Sequence, residues 1–236
     1  MSLPIFYSGT KNASSWAMRA WLALRAAQCD FHEEIIDIRR PQRFEGLARI
    51  GEFSPSGSVP VLVVYGIAVF DSLAIMEFAN DLAEGKLLPV DMLARAEARS
   101  VVAWQHSGLS NICHRISFES SFYPRKRSLM ADEVTECAGL FGFLERILSK
   151  SEGPFLFGRV SLADFALTPT VIRLSRHSPP MDDFPRTRSW MNEVLKHPLV
   201  GEWLREADRL PHIWFDDYLV PGQLGAEAFG ITTSRS

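Results

Sequence analysis

Short apolar runs alternate with helical stripes along the first third of the chain, and helical periodicity governs the rest. Leu3–Tyr7 is a short apolar run of the kind that forms a buried strand. Gly9–Asn12 is polar and turn-like, and Ser14 or Ser15 then precedes Trp16–Ala27, a segment rich in Ala, Leu and Arg. That pattern predicts a helix with a serine N-cap. Glu34–Ile38 reads as a second strand, and Pro41–Arg49 as a short irregular helix at best. Val59–Tyr65 and Ile67–Phe70 flank Tyr65-Gly66, which predicts a β-hairpin. Ser72–Leu82 places Leu73, Ile75, Met76, Ala79 and Leu82 on one helical stripe. The order is β-α-β-(α)-β-β-α. A strand–helix–strand unit needs parallel strands and the hairpin adds antiparallel ones, so the sheet is mixed.

Ala83-Glu84-Gly85-Lys86 reads as a linker, followed by Leu87-Leu88-Pro89. From Met92 onward, helical patterns span 92–121, 132–150, 162–177, 187–196 and 199–208. Breaks fall at Pro124, Gly153-Pro154, Pro179-Pro180, Pro185 and Pro198, and Phe155–Gly158 is a short apolar connector. The expected organisation is an α/β domain over 1–83, a linker over 84–91, an all-α bundle over 92–210 and a tail over 211–236. Trp214, Phe215 and Tyr218 in that tail are candidates to pack back on the body, and 221–236 reads as loosely ordered.

Composition removes several function classes. The net charge is -3, from 25 Lys+Arg against 28 Asp+Glu, which disfavours a nucleic-acid binder working through a basic field. Arg125-Lys126-Arg127 then reads as a solvated loop. The longest apolar stretch, Val59–Tyr65, is too short to span a bilayer, and Met1–Pro4 lacks the layout of a secretory signal. The three cysteines form no CxxC pair and the six histidines no HExxH or His-x-His cluster. The expectation is a cytoplasmic protein without a metal site.

Four motifs carry the candidate chemistry. Ser58-Val59-Pro60-Val61-Leu62 puts a proline at a strand entry, which fits an edge strand or a cis bond. A cis Val59-Pro60 bond would turn the Val59 main chain out to pair with a peptide ligand, whereas an ordinary turn proline would not. Asp71-Ser72-Leu73-Ala74-Ile75 follows the hairpin, and Ser72 at a helix N-terminus makes either an anion site or a plain cap. Ser161 and Asp164 are spaced as a capping box, a folding device. Ser14-Ser15-Trp16-Ala17-Met18-Arg19 opens the first helix.

Together with the element order, these motifs resemble the cytosolic glutathione S-transferase superfamily, in particular its serine-type zeta and tau classes, over nearly the whole chain to about residue 210. The resemblance implies a thioredoxin-like N-terminal domain followed by an all-α C-terminal domain. It implies glutathione as cosubstrate, no metal or organic cofactor, and a homodimer without nucleic-acid or membrane partners. It assigns the thiol-activating hydroxyl to Ser14, with Ser15 and Tyr7 as backups, because the tyrosine-type classes use a Tyr at the end of the first strand. Glutathione would be held by Ser58, Val59, Pro60, Asp71 and Ser72. Asp71 is one methylene shorter than the usual Glu, and Ser58 stands where many relatives carry Lys, Arg or Gln. Arg40 and Arg43 are the basic alternatives, each equally readable as surface charge. The acceptor pocket would draw on Trp104, His106, Asn111, His114, Phe118 and Phe122, all of which also read as core or surface. Arg173 and Arg176 lie three apart on one helix face, and Arg176 roughly matches an arginine that binds a substrate carboxylate in maleylacetoacetate isomerase. The leading expectation is transfer of the glutathione thiolate to a hydrophobic electrophile. Its alternatives are a glutathione-dependent cis–trans isomerase of the maleylacetoacetate type, and a non-catalytic protein of this fold acting through protein contacts. A thiol reductase is disfavoured because no Cys stands at the first helix start, and Cys29 at its far end reads as packing.

Overall fold

A computed structural model describes residues 3–38 and 43–212, excepting the side chains of Arg43, Ser110, Asn111 and His114. The expectations for Arg40, Trp214, Phe215, Tyr218 and the segment 221–236 lie outside the described residues. The N-terminal elements run β1 (Ile5–Gly9), α1 (Ser15–Ala26), β2 (His32–Ile36), α2 (Arg43–Gly51), β3 (Val61–Val64), β4 (Ile67–Phe70) and α3 (Ser72–Leu82). The four strands form one mixed sheet in the order β2-β1-β3-β4. β1 and β2 are parallel, from Ile5↔His32 to Gly9↔Ile36, and β3 is antiparallel to both β1 and β4. At the hairpin tip Tyr65 and Gly66 both take positive φ, +50° and +83°, the backbone that matches strand twist.

Alternation decides which side chain meets which helix. Phe6 and Leu62 face α1 and α3, where Ala17, Trp21, Ile75 and Ala79 complete the core. Tyr7, Ile36 and Val61 point to the opposite face, where Leu47 and Ile50 of α2 cover them. That contact explains why α2 is a regular helix rather than the short irregular one expected over Pro41–Arg49: its apolar positions at 44, 47 and 50 share one stripe. β2 begins two residues before the expected Glu34, because His32 N donates to Pro4 O at 2.8 Å and starts the ladder early.

The helical part comprises α4 (Met92–Gly108), α5 (Ser110–Arg115), a 3₁₀ turn at Glu119–Phe122, α6 (Ala131–Leu148), α7 (Leu162–His177), α8 (Pro185–Lys196) and α9 (Pro198–Ala207). The single helix expected over 92–121 is therefore three pieces. Leu109 leaves helical geometry (φ −90°, ψ 25°) beside Gly108, the poorest helix former short of proline. α7 begins at the expected box. Asp164 Oδ2 accepts from Ser161 N at 2.8 Å and from Ser161 Oγ at 2.9 Å. Its Oδ1 accepts from Leu156 N at 3.1 Å and from Trp190 Nε1 at 2.8 Å. Burial pushes the carboxyl up from its ordinary value, against the four bonds that hold it ionised.

The two parts are joined across α1, which packs on α3, α7 and α9. Buried Lys11 pairs with Glu33 at 3.0 Å and Glu206 at 2.8 Å, and its ammonium lies 5.3 Å and 5.0 Å from the ring centroids of Trp21 and Trp203. Trp203 Nε1 donates to Lys11 O at 3.0 Å, and Asn12 Nδ2 to Pro211 O at 2.8 Å. The turn that delivers Ser14 is thus pinned to the end of the helical part. Among the described residues, no helix is long and apolar enough to cross a membrane.

Candidate functional site

Two helix N-termini and the segment before β3 converge on a cleft of about 460 Å³ between the sheet domain and α4. One wall is Ser58, Val59, Pro60, Asp71 and Ser72; the other is Trp16 and His106. The Val59–Pro60 bond is cis.

Asp71 caps α3, its Oδ1 accepting from Leu73 N at 2.7 Å. Its φ is +75°, in the left-handed region that a non-glycine residue enters only at a cost. That backbone presents the second oxygen, Oδ2, 3.5 Å from Nε2 of His106 on α4. Ser72 follows as the first residue of α3. It is 3% exposed and its hydroxyl has no hydrogen-bond partner. An orphaned hydroxyl at a helix N-terminus has spare valence exactly where the helix field favours an anion.

Ser14 is the N-cap of α1, and its Oγ accepts from Ala17 N at 3.3 Å. That bond uses an oxygen lone pair and leaves the hydroxyl proton free to donate. Gly9 brings this serine against Val59: a methyl group there would sit 2.7 Å from Ser14 Cβ, 2.9 Å from its Oγ and 3.0 Å from Val59 Cγ2. Only glycine fits between the two candidate ligand contacts, a role that β1 alone did not reveal. Ser15 is committed elsewhere, accepting from Nη2 of Arg173 on α7 at 3.3 Å. Trp16, which the sequence offered only as part of the motif opening the first helix, lines the cleft, edge-on to His106 with centroids 5.0 Å apart.

Several candidates lie elsewhere. Tyr7 packs on Phe53 at 5.0 Å in the cluster on the α2 face, the opposite side of the sheet from α1. Its strand position, one residue after Phe6, dictates that face. Trp104 turns to α6 and tilts against Phe143 at 4.7 Å instead of joining the cleft. Phe118 and Phe122 are buried and pack edge-to-face at 5.3 Å. Arg176 is held away by a double contact with Asp208, Nη1–Oδ1 2.8 Å and Nη2–Oδ2 3.1 Å, at the end of α9. The side chains of Arg43, Asn111 and His114 lie outside the described residues.

Known proteins match this arrangement. The model of the glutathione S-transferase N-terminal domain matches residues 13–82 and that of the C-terminal domain residues 128–193. Mouse maleylacetoacetate isomerase is 29% identical over 194 residues, covering 81% of this chain and 87% of the mouse protein. Glutathione S-transferase 1 of Dianthus caryophyllus is also 29% identical, over 200 residues, covering 81% and 86%. Among solved structures, poplar glutathione transferase F1 superimposes with a TM-score of 0.71 at 18% identity, over 89% of this chain and 100% of that one. A Burkholderia glutathione transferase homologue with bound glutathione gives 0.66 at 21%, over 87% and 98%.

Proposed function

Since the chain belongs to the cytosolic glutathione S-transferase superfamily, we propose that its cleft binds glutathione and that the protein transfers the glutathione thiolate to a small electrophile. The observation that carries this reading is the meeting of the α1 and α3 N-termini with Val59 in one cleft, Ser72 keeping a buried hydroxyl with no partner. Ser72 and the α3 N-terminus would take the γ-glutamyl carboxylate, and Asp71 the amine beside it. The main chain of Val59 would pair with the peptide backbone. Ser58 adds a hydroxyl to that wall without a charge for the glycine carboxylate. In this reading residues 1–83 bind glutathione and residues 92–210 help to form the acceptor side.

Chemically, the cleft must stabilise sulfur as an anion, because a free thiol is mostly protonated at neutral pH. Ser14 would donate its hydroxyl proton to the sulfur at the positive end of α1. The thiol proton leaves to solvent. The thiolate attacks the electrophilic carbon, a C–S bond forms, and the displaced electron pair departs with the leaving group or is protonated by water. Trp16, Val59 and Phe70 supply an apolar surface for the acceptor. Calorimetric titration with glutathione tests the reading. Binding by the wild-type protein, weakened about tenfold in Ser72→Ala, is expected; a wild-type protein that does not bind glutathione contradicts it.

A second reading, a glutathione-dependent cis–trans isomerase, draws on the identity with maleylacetoacetate isomerase and on Ser14-Ser15 with Arg19. There the thiolate adds, the adduct rotates and glutathione leaves unchanged. The pairing of Arg176 with Asp208 removes the residue that favoured this reading in the sequence. Turnover of a cis-enedioate with substoichiometric glutathione would establish it over conjugation. The proposal includes a homodimer, for which exposed Val90, Met92 and Leu93 offer an apolar surface, and a reducing cytoplasm that suits the free Cys29, Cys113 and Cys137.

A further inference from the structure

One side chain of the helical domain reaches the polar end of the cleft. His106 of α4 is partly exposed and lines the cleft with Trp16, Asp71 and Ser72. Its Nε2 lies 3.5 Å from Asp71 Oδ2, roughly 0.5 Å beyond the ordinary N–H···O distance. Oδ1 of the same carboxylate accepts from Leu73 N at 2.7 Å. Asp71 therefore has one oxygen tied to its own helix and one facing the imidazole. The imidazole is held in turn. Trp16 meets its ring edge-on at 5.0 Å, and the Arg19 guanidinium stacks on Trp16 at 4.2 Å. Arg19 is buried, and its Nη2 donates at 2.6 Å to the amide oxygen of Gln105, the residue before His106. α1 thus fixes this turn of α4 at two points. Among the described residues Asp71 forms no ion pair with a lysine or arginine.

We propose that His106 is a positioning residue for the amine of glutathione's γ-glutamyl group, acting through Asp71. The inference rests on the reading of the cleft as the glutathione site. A half-exposed carboxylate samples several orientations, and ordering it costs part of the binding energy. An N–H donated by the imidazole to Oδ2 fixes the plane of the carboxylate before the ligand arrives. The oxygen keeps a second lone pair for the ammonium. A neutral imidazole can do this without opposing the ligand. A lysine or arginine at the same place would be a permanent cation competing with the ammonium for Oδ2. The sequence offered His106 for the acceptor pocket. Its contact with Asp71 moves it to the glutathione side, so that the helical domain shares in recognising glutathione as well as the acceptor.

The test compares two peptides by calorimetric titration: glutathione and glutaryl-cysteinylglycine, which keeps the thiol and both carboxylates but lacks the amine. The wild type is expected to bind glutathione about tenfold more tightly than the analogue, as a charge-assisted hydrogen bond does. Asp71→Asn, which keeps a capping oxygen, should bring that ratio close to one. His106→Ala should lower it to about threefold with the affinity for the analogue unchanged, and His106→Gln should restore most of it. His106→Lys should bring it close to one, and keeps the comparison available if the alanine variant does not fold. In the Asp71→Asn background His106→Ala should change the ratio no further, since the histidine acts through the acid. A ratio unchanged in His106→Ala and His106→Lys, or an equal loss for both peptides, overturns this inference while the wild type still binds glutathione. A wild type that binds neither peptide overturns the reading of the cleft, and this inference with it.

Discussion

The N-termini of α7 and α3 begin with similar residues and are used in opposite ways. At α7 the box is closed: all four hydrogen bonds to Asp164 come from buried protein donors, and one of them, Trp190, reaches in from α8. At α3 Asp71 caps a single N–H, and the Ser72 hydroxyl beside it is buried with nothing to bond. Both serines are almost inaccessible, so burial does not separate them; the unused valence does. A polar group whose bonding is complete holds the fold, and one left incomplete in a cleft waits for a ligand.

Substitutions that close or open these valences would break the comparison if it is wrong. The largest effect is expected for Asp164→Ala, which strands four buried donors and should cost about 4 kcal/mol of stability. Thermal or urea unfolding would measure it, and the glutathione affinity of the folded fraction should stay unchanged. His177 is a second completed group. Its Nδ1 donates to Arg173 O at 2.8 Å, Nε2 lies 3.2 Å from Ser120 Oγ, and burial draws its pKa from 6.5 down to about 4. The unfolded chain therefore holds more protons between those values, so stability should fall as pH drops from 6.5 to 4, by ~3 kcal/mol from this residue. Unfolding of His177→Gln across that range should show a flatter pH profile than the wild type.

Ser14→Ala comes next and falls on activity. Loss of a hydroxyl donor to an anion should lower kcat by about a hundredfold, while loss of the cap costs only ~1 kcal/mol of stability. Ser72→Ala has the smallest effect and the sharpest contrast with Asp164→Ala. Glutathione should bind about tenfold more weakly. The melting temperature should hold or rise, since an unsatisfied hydroxyl is removed. A matching loss of stability in Ser72→Ala would show that its hydroxyl serves the fold.

Much of this was legible in the residues. The hairpin, α3 and the Ser161–Asp164 box announce themselves through alternation, helical stripe and cap spacing, each a local signal. Ser14, Val59, Asp71 and Ser72 stand in contiguous motifs, so their candidacy needed no tertiary information. What stayed hidden depends on neighbours far along the chain. α2 owes its regularity to the face of the sheet it covers. Trp104 turned to Phe143, which periodicity cannot choose between core and cleft. Arg173 and Arg176 share a stripe, yet three residues leave them about 60° apart around the axis. That difference sends one to Ser15 and the other to Asp208. Gly9 reads as a strand end until Ser14 and Val59 close around it.

The most direct test of the central claim is the ultraviolet absorbance of the glutathione thiolate, titrated against pH with the protein in excess. The account predicts a thiol pKa well below that of free glutathione for the wild type, the shift lost in Ser14→Ala and retained in Tyr7→Phe. An unshifted wild-type titration, or a shift that survives Ser14→Ala, would contradict it.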